Sequence, residues 1–149
     1  MVPIVTIDGP SGSGKGTIAK ALALKLNWNY LDSGLLYRCF AFLHSENIED
    51  IQDSFSRIEH KYNSKSENIL FDGNDITRAI RGKELTILSS QLSQKNEIRE
   101  QLMQIQKQYR KLPGLVAEGR DMSSKLFPDS KVKIFLTADL SERVNRRAN

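Results

Sequence analysis

The stretch Gly9-Pro10-Ser11-Gly12-Ser13-Gly14-Lys15-Gly16-Thr17 constrains this chain more than any other. Glycines at positions 9, 12, 14 and 16 let the main chain wrap closely round an anion, where side chains would clash or forbid positive φ. Before it, the β-branched run Val2-Pro3-Ile4-Val5-Thr6-Ile7 ends in Asp8-Gly9-Pro10 and reads as a buried strand meeting a glycine turn. After it, Lys15 to Leu26 carries Ile18, Ala19, Leu22, Ala23 and Leu26 at helical spacing. In a strand-loop-helix of this kind, backbone N–H groups and the positive helix end converge on phosphate. Lys15 supplies a point charge to the β- and γ-phosphates and can follow the group in flight. The general signature G-x-x-x-x-G-K-[ST] is met at Gly9, Gly14 and Lys15, but Gly16 stands where the hydroxyl residue belongs and Thr17 follows it. The plain alternative is a glycine-rich turn before a helix; the lysine and both flanking elements weigh against it.

The rest of the chain continues the alternation. Trp28 to Leu31 reads as a short strand with Trp28 as core packing, and Ser33 to about Leu43 as a helix with Leu36, Phe40 and Leu43 on one face. Asn47 to Ser64 is weakly amphipathic, with Ile48, Ile51, Phe55 and Ile58 at helical intervals, and is expected to be a surface helix. Asn68-Ile69-Leu70-Phe71, then Asp72-Gly73-Asn74-Asp75 and Ile76-Thr77, reads as a small hairpin, a pattern unlike its surroundings and therefore an insert. Lys83 to Lys111 is polar and helical in period, broken near Gln94 to Asn96 and stopped by Pro113-Gly114. Leu115 to Gly119 and Val132 to Thr137 read as further buried strands, and Leu140 to Asn149 as the start of a helix. Strands alternating with helices predict an α/β fold with a parallel sheet and right-handed crossovers.

A chain of 149 residues predicts one main domain, 1–149, and the hairpin pattern within it predicts a small insert over 48–94. Lys and Arg number 22 against 18 Asp and Glu, a balance that suits an anionic small substrate as well as nucleic acid. The basic residues are scattered and no aromatic platform is interleaved with them, which argues against nucleic acid. The single cysteine, Cys39, lies in an apolar run, excludes an intrachain disulfide and reads as a small buried side chain. No apolar run approaches the roughly 20 residues of a membrane span, and no signal-peptide pattern opens the chain. A cytoplasmic monomer bound to neither membrane nor nucleic acid is expected.

Several further motifs stand in order: Leu31-Asp32-Ser33-Gly34, Tyr37-Arg38, Asp72-Gly73 with Asp75, Ser90 to Arg99, Leu112-Pro113-Gly114-Leu115, Glu118-Gly119-Arg120-Asp121 and Phe127-Pro128-Asp129. Gly14-Lys15-Gly16-Thr17 resembles the nucleoside monophosphate kinase branch of P-loop proteins, and the motifs together resemble cytidylate kinase over essentially the whole chain. The resemblance implies a P-loop kinase core, a parallel sheet flanked by helices. It implies a transferase of pyrimidine metabolism that moves the γ-phosphoryl group of ATP to CMP or dCMP. ATP and Mg²⁺ are then the expected cofactors, ATP on Gly9, Pro10, Ser11, Gly12, Ser13, Gly14, Lys15, Gly16 and Thr17. With glycine after the lysine, Mg²⁺ is expected to depend on water and nucleotide oxygens, with no protein metal ligand assigned.

Lys15 and Arg120 are the catalytic candidates. Ser33, Arg38, Ser90, Arg99, Arg120 and Asp121 are the CMP-binding candidates. Ser33 and Arg38 lie five apart at a helix start, where a hydroxyl and a guanidinium can reach an acceptor phosphate or ribose. Arg120 follows a strand at the carboxyl edge, where α/β sheets bind ligands. Both arginines also read as solvated or ion-paired surface charges, and Asp121 also reads as a helix N-cap. Cytosine presents an amino donor beside two acceptors, which calls for a carboxylate and for Arg or Ser donors; the assignment of Asp121, Arg99 and Ser90 to it comes from the resemblance. Two departures stand out. Ser123-Ser124-Lys125 replaces the Gly-Thr usual in the family after Arg-Asp and a hydrophobic residue, and the chain is expected to end before an arginine-rich lid and a final strand and helix. Arg143, Arg146 and Arg147 read as a solvated helical face. Rival readings are a P-loop kinase for another monophosphate or for shikimate, and a nucleotide-binding module without turnover.

Overall fold

The computed structural model describes residues 1–139, 141, 142, 144 and 145, and the chain divides into two compact units, Met1–Ser33 with Gln106–Asn149, and Gly34–Ile105. The expected 48–94 insert falls inside the second.

The first unit holds a four-stranded parallel sheet built from β1 (Ile4–Asp8), β2 (Asn29–Asp32), β6 (Leu115–Gly119) and β7 (Val132–Phe135), in the order β2-β6-β1-β7. Every residue of β1 and β6 is buried, which is why both read as continuous apolar runs and not as alternating ones. The register pairs Asp8 with Gly119 and Asp32 with Glu118, so β1, β6 and β2 end level with one another. Their carboxyl ends deliver Gly9, Arg120 and Ser33 to one edge of the sheet.

Helix α1 (Lys15–Leu26) packs on β6 through its smallest residues. Ala19 and Ala23 are buried, whereas Ile18 and Leu26 of the expected apolar face are 46% and 39% exposed. Trp28 is half-buried and lies flat on Gly114, where a Cβ would stand 2.4 Å from the indole Cδ2. A π-helical turn, Met122–Leu126, follows β6. Strand β7 stops at Phe135, two residues short of expectation, and is exposed throughout where a buried strand was expected, because among the described residues it pairs only with β1, at the end of the strand order; the Leu136 N–H still donates to the Asp8 carbonyl at 2.8 Å. Ser141, Glu142, Val144 and Asn145 are helical; Leu140, Arg143, Arg146 and Arg147, named in the sequence reading, lie outside the described residues.

The second unit carries all but the first residue of α2 (Ser33–Ser45), then α3 (Ile51–Ser56), the antiparallel strands β3 (Ile58–Tyr62), β4 (Glu67–Phe71) and β5 (Asn74–Asp75), and α4 (Thr77–Ile80), α5 (Lys83–Leu92) and α6 (Asn96–Lys107), the last ending just beyond it. Cys39 is fully buried in α2, as expected. The hairpin appears where Asp72-Gly73 predicts it, with both residues at positive φ, 51° and 82°. The single helix expected over 47–64 is corrected. Only Ile51–Ser56 is helical, capped by the Asp50 carboxylate accepting from the Asp53 N–H at 3.0 Å, and Ile58–Tyr62 is a strand. Half-buried Ile58, His60 and Tyr62 alternate with exposed Glu59 and Lys61, a period of two that the helical spacing of four isoleucine and phenylalanine residues had masked.

Candidate functional site

The glycine loop leaves β1 at Asp8 and enters α1 at Lys15. Gly12 and Gly14 sit at φ 78° and 90°, the left-handed region that glycine reaches without strain. Gly9 is required for a different reason: a Cβ there would lie 2.2 Å from the Leu136 carbonyl oxygen. Lys15 Nζ donates to the Pro10 carbonyl at 3.4 Å, so the lysine folds back over its own loop. The Ser13 hydroxyl is buried and has no partner among the described residues, leaving a donor within the loop.

Gly16, at the position where the general signature has a hydroxyl, is explained by its neighbour. A Cβ on Gly16 would stand 2.8 Å from Glu118 Oε2. The Glu118 carboxylate is itself buried in β6 and accepts from the Tyr30 hydroxyl at 3.1 Å. A strand-borne acid thus fills the space a side chain at 16 would need. Among the described residues no group of three or more His, Cys, Asp or Glu side chains is placed to hold a metal ion.

The turn after β6 reaches the loop directly. The Gly9 N–H donates to the Gly119 carbonyl at 3.1 Å, and exposed Arg120 donates from Nη2 to Ser11 Oγ at 3.2 Å. Ser33, buried at the end of β2, lies against Gly119, where a Cβ would come within 3.0 Å of the Ser33 Cβ. The loop, Ser33, Arg120 and Asp121 therefore gather at one sheet edge, the position open α/β sheets use for ligands.

Asp121 occupies the cap position of the π-helical turn, but its side chain makes no capping hydrogen bond, so the N-cap reading is corrected. The cap comes from Asp8. Its buried carboxylate accepts from the Met122 N–H at 2.8 Å, the Ser123 N–H at 3.0 Å and the Ser123 hydroxyl at 2.8 Å.

In the second unit, Arg38 is half-buried in α2 and donates from Nη1 to Thr86 Oγ1 at 2.6 Å and to the Ile80 carbonyl at 3.2 Å. These bonds hold its guanidinium against α4 and α5, and it is not a freely solvated charge. Ser90 is exposed on α5 and Arg99 half-buried on α6. An open cleft of about 710 Å³ in this unit, lined by Asp75, Thr77, Arg78, Arg81 and Gly82, includes none of the sequence-predicted site residues. The residues that sequence reasoning missed are Asp8, Glu118, Tyr30 and Ser123. The one local signal was an acid inside or ending an otherwise apolar strand, at 8 and at 118.

A family model described as Cytidylate kinase matches residues 5–149 of this chain. Among curated proteins, the Cytidylate kinase of Stutzerimonas stutzeri strain A1501 is 44% identical, over 98% of this chain and 68% of its own. That of Coxiella burnetii strain RSA 493 is 43% identical, over 97% of this chain and 65% of its own. That of Escherichia coli strain K12 is 41% identical, over 99% and 68%. The chain spans about two thirds of the length of these relatives.

Proposed function

The chain belongs to the cytidylate kinase family, and from that premise we propose that it transfers the γ-phosphoryl group of ATP to CMP or dCMP. An oxygen of the acceptor phosphate bonds to the γ-phosphorus, the bond to the β-phosphate bridging oxygen breaks, and the products are ADP and the cytidine diphosphate. The observation that carries the reading is the adjacency of glycine loop and Gly119-Arg120-Asp121 turn on paired strands, with Arg120 on Ser11.

Gly9 to Thr17 hold the ATP phosphates through backbone N–H groups, the α1 N-terminus and the Ser13 hydroxyl. Lys15 moves from the Pro10 carbonyl to the phosphates, and Arg120 crosses from Ser11 to the acceptor phosphate, so both neutralise charge on the group in transit. Ser33, Arg38, Ser90, Arg99 and Asp121 complete the CMP set, with Asp121 accepting from the cytosine amino group. Mg²⁺ carried by the nucleotide would supply further charge neutralisation on the phosphates; with Gly16 packed against Glu118 and no hydroxyl at position 16, no residue of this chain is assigned as its ligand. No protein nucleophile is required, because positioning and charge neutralisation supply most of the rate in phosphoryl transfer.

The protein acts as a cytoplasmic monomer of one kinase domain that carries the acceptor insert; among the described residues no helix is long and apolar enough to cross a membrane. An ADP-release assay over a panel of monophosphates tests the function. CMP and dCMP turn over well above UMP and AMP; preference for another acceptor, or ATP binding without release, overturns it.

A further inference from the structure

The three hydrogen bonds into the Asp8 carboxylate reach beyond capping. Asp8 is the last residue of β1 and adjoins the first glycine of the phosphate loop, while Met122 and Ser123 directly follow Arg120-Asp121. One buried side chain therefore ties the root of the donor loop to the backbone that carries both acceptor residues. The tie is separate from the strand pairing, since Gly9 is held independently by the Gly119 carbonyl. It is also particular to the sequence here, because Ser123 contributes its hydroxyl as well as its N–H, where a glycine would contribute the N–H alone.

We propose that Asp8 is a positioning residue for the acceptor nucleotide: with Ser123 as its second anchor, it fixes the turn from which Arg120 and Asp121 address CMP. The inference rests on the kinase reading above. A carboxylate is needed because its two oxygens accept three donors, and an amide would turn an N–H₂ group towards a backbone N–H. The β1 main chain and the loop glycines keep their own bonds whatever stands at 8, so the effect falls on the acceptor side.

The test uses Asp8→Asn and Ser123→Ala in the full chain, with ATP and CMP titrated separately. In Asp8→Asn, KM for CMP rises about tenfold or more, the scale of a lost charge-assisted hydrogen bond, while KM for ATP stays within about twofold. In Ser123→Ala, which keeps both N–H donors, KM for CMP rises roughly threefold and KM for ATP is unchanged. A merely structural cap would move both KM values together or neither, and either result overturns the proposal. Amide exchange gives a readout independent of turnover. The Met122 and Ser123 N–H groups are protected in the unsubstituted chain and exchange at least about tenfold faster in Asp8→Asn, while those of α1 do not change. Unprotected Met122 and Ser123 amides in the unsubstituted chain would also overturn it. Should the unsubstituted chain release no ADP with CMP, the kinase reading fails, and the exchange result still decides whether Asp8 holds the turn.

Discussion

Arg120 and Asp121 are neighbours in sequence with opposite surroundings: the guanidinium is exposed and touches the phosphate loop, while the carboxylate of the next residue is half-buried and caps nothing. Their removal should therefore separate phosphate holding from base reading. Arg120→Ala weakens CMP and UMP alike, because a phosphate contact carries no base identity. Asp121→Ala lowers the CMP to UMP ratio of kcat/KM by roughly 10- to 100-fold, since uracil offers a carbonyl oxygen where cytosine offers an amino donor. An unchanged ratio would remove Asp121 as the base reader. Gly16 gives a second residue-scale expectation. Gly16→Ser restores the general signature but sets its Cβ against Glu118 Oε2, so it should destabilise the chain by about 1–3 kcal/mol, measured by urea unfolding, and should not improve turnover. Of these contacts the sequence disclosed only the residue types. Glu118 and Tyr30 lie 88 positions apart, and Asp8 and Met122 lie 114 apart, so nothing local reveals that they meet.

At the scale of elements, legibility followed the strength of the local pattern. The glycine loop between a β-branched run and a periodic helix, the strand at Leu115–Gly119 and the Asp72-Gly73 turn each carry their own signal, and each appears in place. Strand β3 does not. Its two outward residues, Glu59 and Lys61, dilute an apolar content that already fitted a helical spacing, and its pairing with β4 supplies the stability that local propensity lacks. A charged cluster sits on this pair. Glu67 of β4 stands 3.4 Å from His60 Nε2 and also pairs with Arg81. Its pKa falls from 4.5 to about 2: the His60 imidazole lowers it most, its partial burial opposes, and Arg81 lowers it further. The folded-state pKa is depressed, so Glu67 contributes stability above pH 4.5 that is lost as pH falls from about 4.5 towards about 2. Glu67→Gln should be less stable than the unsubstituted chain at neutral pH. The gap should narrow through that window in acid unfolding followed by circular dichroism. A gap independent of pH would show that the carboxylate charge does not support the hairpin.

For the molecule as a whole, the alternation of strands and helices made the α/β core legible in the sequence, whereas the compact unit that runs from Gly34 to Ile105 carries no boundary signal of its own. Helices α2 and α6 blur the boundary, because their apolar periodicity reads the same whichever core receives it. The proposed donor set, Gly9 to Thr17, and the proposed acceptor set, Ser33, Arg38, Ser90, Arg99, Arg120 and Asp121, share no residue, so each nucleotide should stabilise the chain through a different residue set. A ligand that binds only the folded state adds RT ln(1 + [L]/Kd), about 2.7 kcal/mol at a hundredfold excess over Kd. ATP and CMP should each raise Tm in the unsubstituted chain. Lys15→Ala should lose most of the ATP shift, keep the CMP shift and turn over at least about 100-fold more slowly, the scale for one electrostatic stabiliser. Asp121→Ala should do the reverse, keeping the ATP shift and losing most of the CMP shift. The crossing pattern is the informative outcome: if either substitution removes both shifts while the free protein keeps its Tm, the two nucleotides do not depend on separate residues and the division into donor and acceptor sets is wrong.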